Sequence, residues 1–234
     1  MKLLIKFPTR ARPEKVLPLL ERYRSLLSGR NDVFFLITID TDDKTMNNPT
    51  ILKRINHIIH NAPKITGIVC IGNSGTKIQA VNADMTSAPQ DWDVLLLASD
   101  DMVPQVQSYD AIIFEHMRSH FPDLDGCLWF NDGYTMKVCT LVVMGKPYFQ
   151  RFNYIYHPDY LSLWCDNEWS EVAAMHGKIQ YVDCTIIKHE HFANKKGVVA
   201  DRLYQRNEKF YHQDKALYEL RKKNGFWLGR GYPC

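Results

Sequence analysis

The chain has 234 residues, 45% of them hydrophobic, enough to bury one substantial core with at most a small second lobe. Its 29 basic and 26 acidic side chains leave a formal charge of +3, which does not by itself mark a nucleic-acid binder and merely permits an anionic ligand. The six cysteines form no CxxC pair and no disulfide-scaffold spacing, so a reduced, cytoplasmic setting is expected. The apolar run in MKLLIKFPTRAR is too short for a signal peptide and no stretch approaches the length of a membrane span, so no transmembrane segment is expected.

Lys2 to Phe7 reads as a buried strand broken by Pro8. A loop through Thr9, Arg10, Ala11, Arg12 and Pro13 leads into a helix from about Glu14. Val16, Leu20, Tyr23 and Leu27 give it an apolar stripe, and Gly29 ends it. Val33 to Ile39 is a second apolar strand, and Asp40, Asp42 and Asp43 follow at its carboxyl end. Of these, Asp40 is the one expected to be more than a polar turn. Asn48 before Pro49 signals a helix start, and Ile51, Ile55, Ile58 and Ile59 supply its buried face. Ile65 to Ile71 makes a third strand. Gly72 to Lys77, GNSGTK, then turns into a helix carrying Ile78, Val81 and Met85. A helix start with a nearby lysine suits a phosphate, although the full P-loop spacing is absent.

The chain is organised around Trp92 to Pro104, WDVLLLASDDMVP. Val94 to Leu97 is too short a run for an ordinary helix and reads as a buried strand, with Asp100 and Asp101 beyond its carboxyl end. In an open α/β sheet that edge is where ligands bind. Taken alone, a solvated turn with Asp100 capping a helix explains the pair equally well. Strands alternating with helices, each strand apolar on both faces, imply a mostly parallel sheet covered on both sides.

The second half is less regular. Tyr109 to His120 reads as a helix, Gly126 to Phe130 as a strand closed by an Asn131-Asp132-Gly133 turn, and Thr140 to Met144 as another short strand. Lys146 and Pro147 start a helix. Phe152 to Trp164 is a loop whose rings are able to stack on a sugar or base, though any single ring is more often core. Asp166-Asn167-Glu168 opens a helix with Trp169, Val172, Ala173 and His176 at helical spacing, and acids at a helix start also suit the macrodipole. Gln180 to Ile187 is a last strand delivering His189-Glu190-His191, which places the two histidines on one face if the chain stays extended. Arg202 to Lys223, with Leu203, Phe210, Leu217 and Leu220, reads as a helical arm packed across the domain.

PTRARP after the first strand, IDTDD after the second, a lysine-bearing helix, SDDM, WCDNEW and a closing KHEH stand in an order that resembles the GT-A fold glycosyltransferases, particularly the family 2-like group. The resemblance runs from about Lys2 to Phe192. It implies a GT-A-like (Rossmann-like) α/β domain over 1–193, with a nucleotide-binding half at 1–104, an acceptor and catalytic half at 105–193, and a C-terminal helical arm at 194–234. It assigns nucleotide binding to Thr9, Arg10, Arg12, Asp40, Lys77 and Asp100. Asp101, with His191 or His189, would be the metal ligand, and Asp166, or failing it Glu168, the catalytic base. The familiar late motif has adjacent acids, whereas here Asn167 separates them. The stretch from about Asp125 to Trp164 matches nothing specific.

The activity implied is a metal-dependent hexosyl or pentosyl transfer from a nucleotide-sugar donor, with inversion and with Mn²⁺ or Mg²⁺. The acceptor is left open among a glycan, a lipid-linked saccharide and a modified DNA base. In the last case Arg202, Arg206, Lys209, Arg221, Lys222 and Lys223 would touch phosphates. A nucleotidyltransferase, normally richer in glycine in its first loop, and a non-catalytic nucleotide-sugar-binding protein of the same fold are the competing possibilities.

Overall fold

Continuous apolar runs become the middle of a seven-stranded sheet, seen in a computed structural model that describes residues 1–191 and 201–228. In chain order the elements begin with β1 (Lys2–Thr9), α1 (Pro13–Ser25), β2 (Asp32–Asp40), α2 (Pro49–His60), β3 (Ile65–Gly72) and α3 (Lys77–Asn82). β4 (Val94–Leu97), β5 (Met102–Pro104), α4 (Tyr109–His120), β6 (Cys127–Phe130), β7 (Val143–Gly145) and α5 (Lys146–Phe149) follow. The chain continues through α6 (Cys165–Met175), β8 (Ile179–Val182), β9 (Ile187–His189), α7 (Arg202–Glu208) and α8 (Tyr211–Lys223).

The sheet runs β3-β2-β1-β4-β7-β6-β8. Its first four strands are parallel, with Leu3 opposite both Val33 and Val94. β7 lies antiparallel between β4 and β6, and β8 is parallel to β6. Because side chains alternate along a strand, β1 feeds two core layers. Leu3, Ile5 and Phe7 pack with α1, α2 and α4, whereas Leu4 packs with α3, α5 and α6. The mostly parallel sheet flanked by helices, with a C-terminal helical region, is as expected from the sequence.

Five details differ from that expectation, the first being that β1 runs through Pro8 to Thr9 instead of breaking there. β3 is an edge strand, so it is not covered on both faces: Ile68 and Ile71 are 39% and 46% exposed. α3 is only six residues long, and Met85 falls in a following 3₁₀ turn. The expected strand over 180–187 is split, because β8 completes the main sheet while β9 leaves it to pair with β5. The arm is two helices rather than one. Of its apolar residues, Tyr218 and Leu217 pack against the core whereas Leu220 is 53% exposed. The wholly buried Asp214 of α8 also accepts the amides of Leu161, Ser162 and Leu163 at 3.0, 2.8 and 2.8 Å. Among the described residues no helix is long and apolar enough to cross a membrane.

Candidate functional site

β1 has β2 on one side and β4 on the other, so the loops after these strands diverge and leave a crevice at their carboxyl ends. A cavity of about 300 Å³ opens there. Of the residues assigned from the sequence to nucleotide binding, metal binding or catalysis, all line it except Glu168.

Arg10 and Arg12, from the loop after β1, reach in different directions. The Arg10 guanidinium donates to Asp40 Oδ2 at 2.6 Å and to both oxygens of exposed Asp42 at 2.6 and 2.7 Å. Asp40 Oδ1 accepts the Ser74 amide at 2.9 Å, so the acid ending β2 is tied to the turn after β3. Asp43 is no mere polar turn. It is buried and accepts the amides of Ala11 and Thr45, locking the first loop to the second. Arg12 is itself buried: Nη1 donates to both oxygens of Asp100 at 2.7 and 2.9 Å, and Nη2 donates to Asp201 at 2.6 Å. Burial pushes the Asp100 carboxyl above its usual range, with Arg12 opposing.

Asp101 is embedded in a chain of polar groups. Ser99 donates to its Oδ1, Tyr204 of α7 donates to its Oδ2 at 2.9 Å, and His189 Nε2 stands 3.6 Å from the same oxygen. The β5–β9 ribbon produces this, since Met102 pairs with His189 and the Glu190 amide donates to the Asp101 carbonyl at 2.7 Å. Burial alone would raise Asp101, but His189 and Ser99 hold it well below the carboxylate range.

His189 faces a second acid, with Nδ1 3.8 Å from Asp132 Oδ2. Burial opposes its charge, yet the two carboxylates push it up to about 9. From the sequence Asp132 reads only as part of a turn. Its Oδ1 does accept the amides of Tyr134 and Thr135 at 2.8 Å each, while Oδ2 takes the Thr140 hydroxyl at 2.7 Å and faces the histidine. A turn motif carries no sign of where its second oxygen points. His191 has the opposite balance: burial, with His189, Lys77 and Arg12 nearby, holds it down to about 4, and its ring meets the Tyr204 ring edge-on at 4.8 Å.

Asp166 lines the cavity from the first turn of α6. Its side chain accepts the Asn167 amide at 3.0 Å and meets no cationic partner at ion-pair distance among the described residues. Burial raises its pKa, and Lys77, exposed at the start of α3, is the strongest opposing influence. Trp164, just before α6, takes a left-handed φ of 62° and packs its ring against Tyr218, 5.2 Å away on α8.

Glu168 belongs elsewhere. It is buried and accepts the Arg221 guanidinium at 2.7 and 2.8 Å and the Tyr160 hydroxyl at 2.8 Å. Two positions along a helix turn about 200°, so Asp166 and Glu168 face nearly opposite ways. Arg221 is therefore not available to phosphate, and Lys222 is paired with Glu171 at 2.7 Å.

Among the described residues no group of three or more His, Cys, Asp or Glu side chains is arranged to hold a metal. As it stands, the expected set serves protein partners: Asp101 accepts Ser99 and Tyr204, and His189 is wedged between two acids. The donor types themselves, carboxylate oxygens with one imidazole from a pair whose rings lie 5.5 Å apart, suit Mn²⁺ or Mg²⁺ better than a thiolate-seeking ion. Thr9 Oγ1, Arg12 Nε and Ser162 Oγ, all on residues lining the cavity, are buried without a hydrogen-bond partner among the described residues. Buried polar atoms are nearly always satisfied, so these three leave hydrogen-bonding capacity in the cavity wall for a polar group or water.

No family model matches the sequence, and no curated protein matches it. Solved structures share the fold. A mannosyltransferase from Pyrobaculum calidifontis, in complex with GDP-Man and Mn²⁺, aligns with a TM-score of 0.63 and 14% identity over 92% of this chain and 64% of its own. TarS 1-349 from S. aureus, in complex with UDP-GlcNAc, aligns at 0.58 and 12% over 92% and 66%. A 4-diphosphocytidyl-2C-methyl-D-erythritol synthase from Anaerococcus prevotii aligns at 0.52 and 11% over 90% and 96%. The chain thus spans about two thirds of the length of the first two. What it shares with them is a GT-A-like fold.

Proposed function

We propose that this protein is a glycosyltransferase that moves a hexosyl or pentosyl group from a nucleotide-sugar donor to a hydroxyl acceptor, with inversion and with Mn²⁺ or Mg²⁺ bound. The observation that carries this is the single cavity in which orphaned Thr9 Oγ1 and Arg12 Nε, the acids Asp40, Asp100 and Asp101, and the separate acid Asp166 all converge. Its volume of about 300 Å³ is at the lower end of the size of small-molecule sites.

Thr9, Arg10, Arg12 and Asp40 bind the nucleoside, and Asp100, held by Arg12, sits beside them. Lys77 faces the diphosphate as a point charge. Asp101, with His191 or His189, would hold the cation, which when bound supplies Lewis-acid charge to the leaving phosphate. Asp166 receives the proton of the acceptor hydroxyl as that oxygen attacks the anomeric carbon. A carboxylate raised by burial is a better proton acceptor than an exposed one, and this supports Asp166 over Glu168, whose oxygens are committed to Arg221 and Tyr160.

The test is a thermal-shift panel of UDP, GDP, dTDP and CDP with and without Mn²⁺, followed by release of the nucleoside diphosphate from the matching sugar donors. A stabilisation that needs both nucleotide and cation supports the assignment and identifies the base. Folded protein that responds to none of them overturns it. A nucleotidyltransferase is the second possibility, favoured by the likeness that covers 96% of the Anaerococcus prevotii synthase. It predicts release of pyrophosphate when the four nucleoside triphosphates UTP, GTP, dTTP and CTP are added to the panel.

A further inference from the structure

Helix α7 forms part of the cavity wall through Leu203, Tyr204, Arg206, Asn207 and Glu208, yet it buries none of its residues. Its hold on the domain is largely polar. Asp201 caps the helix by accepting the amides of Leu203 and Tyr204 at 3.1 Å each, and it also receives Arg12 Nη2 at 2.6 Å. Tyr204 donates its hydroxyl to Asp101 at 2.9 Å, and its ring lies 4.3 Å from the Arg12 guanidinium carbon. Arg206 donates to the Gly75 carbonyl in the turn before α3, at 3.0 Å.

The adjoining α8 is held very differently. Asp214 takes three backbone amides, Arg221 forms a buried ion pair with Glu168, and Tyr218 packs into the core. The arm is therefore pinned at α8. At α7 it grips Arg12 and Asp101, two groups that also face the cavity. Whatever binds those two groups competes with α7. Asp101 Oδ2 already faces Tyr204 and His189, so a cation approaching that oxygen meets the phenol. Likewise an anion reaching the orphaned Nε of Arg12 competes with the Asp201 carboxylate for the same guanidinium.

We propose that Tyr204 sets the affinity of this site by competing with a divalent cation for Asp101, and that α7 leaves its contacts with Arg12 and Asp101 when a cation and a nucleoside diphosphate bind. The proposal rests on the nucleotide-sugar assignment above. It adds that a segment of the same chain stands on the expected ligands, which accounts for their being arranged around protein donors.

The experiment uses the full chain, Mn²⁺ alone, and Mn²⁺ with UDP or with GDP. Amide exchange across residues 202–208 is followed by mass spectrometry, and Mn²⁺ binding is titrated by electron paramagnetic resonance in the native protein and in Tyr204→Phe. The variant keeps the ring over Arg12 and removes only the hydroxyl. Mn²⁺ binding is expected to tighten about three- to tenfold, the usual worth of one hydrogen bond. Exchange in α7 of the native protein is expected to rise on adding Mn²⁺ and nucleotide while α8 stays protected. Should Tyr204→Phe not fold, Asp201→Asn keeps a capping acceptor, removes the negative charge that pairs with Arg12, and carries the same two expectations. Ligand binding with unchanged or lowered exchange in α7 and no gain in Mn²⁺ affinity would show α7 to be a fixed wall, and overturns the proposal alone. No binding of any nucleotide or of Mn²⁺ by either protein overturns the nucleotide-sugar assignment together with it.

Discussion

Two kinds of carboxylate face one cavity. Asp40, Asp100 and Asp101 are each gripped by a side chain from another part of the fold: Arg10, Arg12, and Tyr204 with His189. The Asp166 carboxylate accepts the amide of its own neighbour and, among the described residues, no side-chain donor. Burial pushes both Asp100 and Asp166 upward, so burial is not what separates them. The difference is the partner. An acid held by a guanidinium is fixed in place and suited to binding, whereas a half-buried acid without a cation at contact distance is suited to taking a proton.

The largest effect that would test this contrast is on turnover. Asp166→Asn should lower transfer about 10²- to 10⁴-fold, the usual worth of a general base, while nucleotide affinity stays within about twofold. A fall in nucleotide affinity with turnover preserved would place Asp166 among the binding acids and erase the distinction. Next comes Glu168→Gln, which leaves Arg221 buried without its counter-charge and should cost about 3–5 kcal/mol of stability, read from the urea midpoint. If that variant were as stable as the native protein and yet inactive, the roles of the two acids in WCDNEW would be exchanged.

That exchange was open in the sequence but not beyond its reach. The positions of Asp166 and Glu168 on one helix already require opposite faces; what could not be read was which face met the cavity, because Arg221 lies 53 residues away. The first half of the fold was legible because β1, β2 and β4 are unbroken apolar runs with their acids immediately following. β5 and β9 are three residues each and too short to show a period, so the ribbon that brings His189 to Asp101 was missed. Asp132 hid inside an ordinary turn motif. In sequence α7 is part of an arm and shows no sign of being a wall of the site, since a helix that buries nothing leaves no apolar stripe.

The bridging histidine gives a pH signature in the ligand-free protein. His189 is raised from 6.5 to about 9, so its charge stabilises the folded state fully below pH 6.5, and that contribution, on the order of 3 kcal/mol, is lost as pH rises through 9. Buried Lys6, whose ammonium donates to Thr38 and to the Ala83 carbonyl, is lowered from 10.5 to about 8. Its penalty for holding a charge in the folded state is relieved as pH climbs from 8 to 10.5, the opposite slope. The measurement is therefore the difference in urea midpoint between the native protein and His189→Gln from pH 6 to 9. A difference that does not shrink with rising pH would mean that His189 is not charged between Asp101 and Asp132.

The smallest effect compares neighbours on α8. Arg221 and Lys222 are consecutive, and each is paired with an acid of α6, Glu168 and Glu171. The Arg221 side chain is 3% exposed and its pair is closed to water, whereas Lys222 is 52% exposed and its pair is screened by solvent. Lys222 also donates to the Tyr218 hydroxyl at 3.1 Å, but that contact is made at the surface by a long, flexible stem. Lys222→Ala should therefore cost less than about 1 kcal/mol, against the several expected for Glu168→Gln. Equal costs would mean that the hold of α8 is spread along its exposed edge instead of residing in the buried pair, and the contrast between a pinned α8 and a displaceable α7 would lose its physical basis.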